Sequence, residues 1–311
     1  MALVYLDERS VLKIPTYLFP PSKYEKIISY GNASAPFFDS ILLIGYSWKD
    51  EKCFWPGQCK VPMNATDWSE IGSLWRSMGL QNINSAAQET NQTIKVFVTI
   101  IYPDTRQRNF GSFCGKETYD FAITADRLLA VQCWIDTVVT MVHESSWNNI
   151  ELVGFYWYLE NIVPEDLVLL PNVAQYIHEE KKLKLCWIPD YDSSNQVPNW
   201  VSYGFDFVTL QPNYAFQNAT VDRFEKVNDI ISASVAGVEM ELPLAVRNYL
   251  IDRNATTSFE NYLSAAVKYN WVHAAIKTFY LANDFATMAL SNNKTQLIMY
   301  DQLYRLVSGK L

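Results

Sequence analysis

The chain has 311 residues, a net charge of -8 and 19% charged residues, the make-up of a globular protein large enough to bury a substantial core. This charge balance argues against a nucleic-acid binder, since no basic stripe is present to neutralise phosphates, and the one basic cluster, Lys181-Lys182-Leu183-Lys184, reads as a solvated helix end after Glu179 and Glu180. No apolar run reaches the roughly 20 residues of a membrane span, and residues 1–15 lack the apolar stretch of a signal peptide.

In chain order, strand-like apolar runs occupy Ile41–Tyr46, Lys95–Ile101, Leu152–Tyr158, Leu185–Ile188, Phe207–Leu210, Val238–Leu242 and Ala275–Tyr280. Helical periodicities fall between them at Trp68–Met78, Tyr119–Val142, Pro164–Glu179, Val221–Ser234 and Phe259–Lys268. Strands that alternate with helices pair in parallel through crossovers, and runs such as Ile41-Leu42-Leu43-Ile44 are apolar on both faces, as a helix-covered sheet requires. The expected fold class is α/β, a (β/α)8 TIM-type barrel with seven clear strands. The eighth is expected from Val11-Leu12-Lys13-Ile14 or from an irregular segment near the end. An open doubly wound sheet is the alternative, but no Gly-x-Gly-x-x-Gly turn follows the first strand, so nucleotide binding lacks support. With no linker or repeat, residues 1–311 read as one barrel domain, and residues 1–35 as its N-terminal extension. The connection from Trp48 to Pro62 reads as a rim loop over the mouth.

The chemistry concentrates in two strands. In Gly237-Val238-Glu239-Met240-Glu241, strand alternation points both glutamates one way and Val238 and Met240 the other. Burying acids in this manner is costly unless they have work to do. The run Gly154-Phe155-Tyr156-Trp157-Tyr158-Leu159 ends similarly, in Glu160. Active sites of such barrels lie at strand C-termini, which selects Tyr46, Trp48, Tyr102, Asp104, Tyr158, Asp190, Asp192, Gln211, Asn213, Tyr214 and Tyr280 beside the three glutamates.

Paired strand-end carboxyl groups among aromatics are the equipment of a glycosidase: one protonates the leaving oxygen, and the other attacks or activates water. Glu160 is assigned as the general acid, because its aromatic neighbours would raise its pKa. Parity leaves either Glu239 or Glu241 as its partner, with Glu241 preferred because it lies nearer the mouth. The competing structural reading gives these acids loop-capping or ion-pairing roles, with Arg247 available to neutralise Glu241. The three histidines offer neither a triad nor a metal site, and no Gly-x-Ser-x-Gly motif occurs, so no metal or organic cofactor is expected.

Five cysteines permit at most two disulfides. Cys53 and Cys59 bracket a short turn suited to one, whereas Cys133 and Cys186 read as buried free thiols. Sequons at Asn32, Asn64, Asn91, Asn218, Asn254 and Asn293 point toward secretion.

Several of these segments together carry a family resemblance. Ala65-Thr66-Asp67-Trp68, Gly154-Phe155-Tyr156-Trp157 with Glu160, Trp187-Ile188-Pro189, Gly204-Phe205-Asp206 leading into Gln211-Pro212-Asn213-Tyr214, Gly237-Val238-Glu239-Met240-Glu241 and Tyr300-Asp301 recur in that order. In this set the chain resembles the family catalogued as domain of unknown function 4855, whose members look like glycoside hydrolase barrels. The resemblance implies a barrel with a carbohydrate-related role. The expected activity is hydrolysis of a polysaccharide or glycan, and the alternative is a noncatalytic carbohydrate-binding or interaction protein on the same scaffold.

Overall fold

Strand pairing in the computed structural model closes a barrel of eight parallel strands, each beside its neighbour in the chain. The structure describes residues 1–6, 20–31, 35–49, 51–217, 219–241, 255–274, 276–280 and 282–311. The barrel strands are β1 (Ala2–Tyr5), β2 (Ser40–Ile44), β3 (Ile94–Ile100), β4 (Ile150–Trp157), β5 (Lys184–Trp187), β6 (Phe207–Leu210), β7 (Gly237–Glu241) and β8 (Lys277–Tyr280). Helices α1 (Pro21–Ile28), α2 (Ala65–Leu74), α3 (Gln81–Glu89), α4 (Thr124–His143), α5 (Asp166–Gln175), α6 (Arg223–Ser234), α7 (Ala255–Lys268), α8 (Ala282–Ala289) and α9 (Lys294–Val307) accompany them.

The eighth strand differs from expectation. It is Ala2–Tyr5, which pairs with β2 from Ala2↔Ile41 to Tyr5↔Ile44 and with β8 at Phe279. Residues 1–35 therefore contribute a barrel strand in addition to α1, and Val11–Ile14 lies outside the described residues. Four residues are too short a run to show a period, but Ala2, Leu3 and Val4 are buried as tightly as any central strand.

Glycines set the floor of the barrel. A Cβ at Gly154 of β4 would fall 2.4 Å from the Lys184 carbonyl oxygen and 2.7 Å from the Phe97 ring, and one at Gly237 of β7 would fall 2.5 Å from the Ile276 oxygen. Both acid-bearing strands thus enter the barrel where only a hydrogen fits. Phe97 and Phe207 fill the space between them, edge to face with ring centroids 5.5 Å apart. Above this floor, side chains two and four residues further along each strand face the lumen.

Helices cover the outside through buried indoles. Trp134 of α4 donates to the Thr99 carbonyl at 2.9 Å and packs against Trp68 and Trp75 at 6.0 and 5.9 Å. Helix α2 starts in a capping box, with Asn64 Oδ1 accepting from the Asp67 amide at 3.1 Å and Asp67 returning the bond to Asn64 N at 2.8 Å. No helix among the described residues is long and apolar enough to cross a membrane.

Two disulfides form, Cys53–Cys59 and Cys114–Cys133, leaving Cys186 as a buried thiol. The expectation of a free Cys133 is corrected. Its helical setting was visible, but the loop preceding α4 folds back over that helix, and it carries Cys114.

Candidate active site

Strand register brings three carboxyl groups to the open end of the barrel. Glu239 and Glu241 lie on β7 beside Thr278 and Tyr280 of β8, and Glu160 follows β4 on the same parity as Tyr156 and Tyr158. Glu239 and Glu241 are each 1% exposed, and Glu160 is mostly buried.

Each acid meets different partners. Burial raises the Glu160 pKa to about 8; a hydrogen bond from the Gln211 amide opposes the shift, and Asp190 and Glu241 reinforce it by like charge. That amide is itself held, because Gln211 Nε2 donates to the Ile188 carbonyl at 3.0 Å. Glu239 lies deeper. Burial first, then Glu241 and Glu160, push its pKa well above the carboxylate range, and its one counterweight is Thr278, whose hydroxyl is 3.5 Å away.

Glu241 is the best supplied with donors. Burial raises its pKa to about 7, while the Tyr262 hydroxyl, the backbone N–H groups of Asn213 and Tyr214 and the charge of Arg223 all favour its anion. Tyr262 donates to Oε2, and Oε1 is buried with no hydrogen-bond partner among the described residues. Asn213 adopts a left-handed backbone at φ +50°, which turns consecutive amides toward one acceptor. No ion pair holds any of the three glutamates among the described residues, and Arg247 lies outside them.

Tyrosines line the remaining wall. Tyr5 packs edge-on against Tyr280 at 5.5 Å, and Tyr156 packs against Tyr158 at 6.3 Å. Like charge from Glu239 raises Tyr5, Tyr156 and Tyr280 further above the usual phenol range, which places all three rings around that carboxyl. Rim residues Phe54 and Trp55 meet Tyr158 at 5.7 and 6.1 Å.

Of the other residues selected from the sequence, Asp104 pairs with Arg106 and Asp192 accepts from Gln217 in the loops, and the rest lie near the glutamates, on the rim or on the helix side. Asp190, Gln211, Tyr158, Tyr280 and the Asn213–Tyr214 backbone gather around the glutamates; Asp190 also caps the short helix Tyr191–Asn199 through Ser193 N at 2.8 Å. The Tyr214 side chain turns away to pack on Phe224 and Tyr262 and accepts from Asn261 at 2.8 Å. Tyr46 stands on the rim with its hydroxyl on Gln58 at 2.6 Å, and Trp48 is buried in the rim hairpin under Lys49. Tyr102 is engaged on the helix side, donating to Asp166 at 3.0 Å and accepting from Arg127 at 3.0 Å.

Sequence reasoning did not select Tyr5, Tyr156 or Tyr262. Tyr156 shares parity with Glu160 and was within reach of that rule, Tyr5 lies on the unrecognised strand, and Tyr262 comes from a helix with no local signal. The assembled site holds two carboxyl groups of neighbouring pKa with different donors, an arrangement able to give a proton from one and keep a negative charge on the other.

Two solved structures share the fold across nearly the whole chain. A family 18 chitinase from Crocus vernus is 10% identical, with 97% of this chain and 99% of that chain covered and a TM-score of 0.51. A protein described as a candidate alpha-L-fucosidase from Bacteroides thetaiotaomicron is 11% identical, with 98% and 92% covered and a TM-score of 0.52. Both are barrels, and at these identities the likeness is one of fold. No curated protein matches the chain. The family model described as Domain of unknown function (DUF4855) matches residues 17–305, and the chain belongs to that family.

Proposed function

We propose that the barrel mouth is a glycosidase site, with Glu160 as general acid and Glu241 as the second carboxylate. The observation that carries this reading is the unequal supply of donors to two carboxyl groups in one dry mouth. Glu160 has one amide and stays protonated to about pH 8. Glu241 has a hydroxyl and two backbone amides, is pushed up only to about 7, and has no partner at Oε1 among the described residues. A glycosidic oxygen beside Glu160 would take its proton as the bond breaks, and Glu241 Oε1 would face the developing positive charge at the sugar carbon, attacking it or activating water. Glu239, deeper and held protonated by burial and its two carboxyl neighbours, would take no part in the proton transfer. The tyrosine wall offers flat apolar area with hydroxyl edges, which suits sugar rings.

The test is a screen of chromogenic glycosides and a glycan array with the wild type, Glu160→Gln and Glu241→Gln. Turnover by the wild type, abolished in both variants with glycan binding kept, is the expected result. Glycan binding by all three proteins with no turnover on any substrate would overturn it in favour of a noncatalytic sugar-binding barrel.

A further inference from the structure

Trp55 and Phe216 stand across the barrel mouth from each other. Trp55 lies in the loop after β2 and Phe216 in the loop after β6, four strands apart in a ring of eight. Phe216 is 42% exposed and Trp55 is partly exposed, although each sits beside buried aromatic surface. Trp55 packs edge-on against Tyr158 at 6.1 Å, and Phe216 edge-on against Tyr280 at 5.4 Å. Tyr280 packs in turn on Tyr5. Phe216, Tyr280 and Tyr5 are in successive contact, as are Trp55 and Tyr158, and the two runs together make an aromatic line across the mouth beside the carboxyl groups.

Both outer rings are fixed in place. Phe54 anchors the Trp55 loop beneath its neighbour: its ring occupies the space where a Gly45 Cβ would stand, at 2.4 Å, and stacks on Trp75 at 5.8 Å. The Cys53–Cys59 disulfide closes the same loop, and Arg106 donates to the Cys59 carbonyl at 3.1 Å. On the other side, the Gln217 amide donates to the Asn213 carbonyl at 3.0 Å, and the Gln217 side chain bonds Arg223 and Asp192. Rigid, partly exposed rings at both ends of an aromatic line are platforms whose ordering cost is already met.

We infer that the described residues of the mouth form a cleft for a chain of sugars, with one sugar stacked on Trp55, another on Phe216, and the reacting linkage between them at the carboxyl groups. The chain would be of neutral or amino sugars, because a uronic or sulfated unit would meet the Glu241 anion, and Arg223, whose charge reaches that anion, is engaged by Gln217 and the Pro212 carbonyl. Only the place of the reacting linkage rests on the glycosidase reading; the cleft itself does not.

The test is calorimetric titration of the full chain carrying Glu160→Gln with chitohexaose, the glucosamine hexamer, cellohexaose and mannohexaose, each beside its monosaccharide, and with hexagalacturonate as the charged control. At least one neutral or amino hexamer should bind tenfold or more tighter than its monosaccharide. Trp55→Ala and Phe216→Ala should each reduce that preference at least fivefold, and Trp55→Phe and Phe216→Tyr should restore most of it, which separates stacking from misfolding. A hexamer no tighter than its monosaccharide, a preference untouched by both alanine variants, tighter binding of hexagalacturonate, or no hexamer binding at all would each overturn the inference. Hexamer binding without wild-type turnover would keep the cleft and remove the glycosidase, whereas turnover of aryl monoglycosides with no hexamer preference would do the reverse.

Discussion

Asp166 on the helix side and Glu239 in the lumen are buried to the same degree, 0% and 1% exposed, in opposite electrical settings. Asp166 faces Arg127 at 2.7 Å and the Tyr102 hydroxyl at 3.0 Å, and Arg127 also donates to the carbonyls of Pro103 and Glu165. This cluster ties the loop after β3 to the loop after β4. Glu239 instead faces two further carboxyl groups and one distant hydroxyl. Asp166 is given a cation in an ion pair, whereas the lumen acids are brought together without an ion pair among the described residues, which weakens the fold and is the observation behind the proposed site.

The contrast breaks most visibly in turnover. If the lumen acids are catalytic, Glu160→Gln and Glu241→Gln should each lower kcat by roughly 10³-fold or more on an accepted glycoside, while Glu239→Gln falls short of that loss. Stability should divide the two sites by sign. Arg127→Met strands Asp166 and should cost about 3–5 kcal/mol in denaturant unfolding.

Glu239→Gln should stabilise the protein by roughly 2 kcal/mol at pH 8 and by little at pH 4. The sign follows from the raised pKa: the folded state holds protons that the unfolded chain has released, so stability is full below the unfolded carboxyl pKa and declines as pH rises through the folded one. Glu160 adds the same trend between about 4.5 and about 8. A gain for Glu239→Gln that is larger at pH 4 than at pH 8 would contradict the arrangement.

The smallest effects separate Glu160 from Glu241, the two acids of the proposed mechanism. Tyr262→Phe removes a donor from the Glu241 anion and should move the acid limb of the pH–rate profile upward by about one pH unit. Gln211→Leu removes the donor from Glu160 and should move the alkaline limb upward by a similar or smaller amount. The first narrows the active range and the second widens it, as a pH series of kcat/KM for both variants would reveal.

The sequence displayed the barrel and its acids because both follow period-two logic. Apolar runs on both faces marked covered strands, and acids two apart in β7 could be assigned a common face without any fold. The strand-end rule lacks that sense of face, so it selected Tyr102 with Tyr158 although one ring belongs to the helix layer and the other to the lumen. Contacts between distant segments left no trace: Tyr262 reaches Glu241 across 21 residues, and Cys114 reaches Cys133 only because a loop reverses. Within the resemblance motifs, Asp67 caps a helix, Asp206 accepts from Leu185 N at 2.7 Å, and Gln211 holds Glu160. Much of that pattern therefore records how the barrel is built.

The pairing of β1 with β8 sets an order of assembly. Tyr5 and Tyr280 meet only after the 274 residues between them have been made, so the aromatic line cannot form on a nascent chain until the last strand emerges. During synthesis, β1 can dock on β2 while its other edge stays unpaired, and the lumen acids remain open to water, where they ionise freely. Desolvation of the carboxyl groups and closure of the barrel are then a single event, and the protonation chemistry of the mouth becomes a reporter of completed folding.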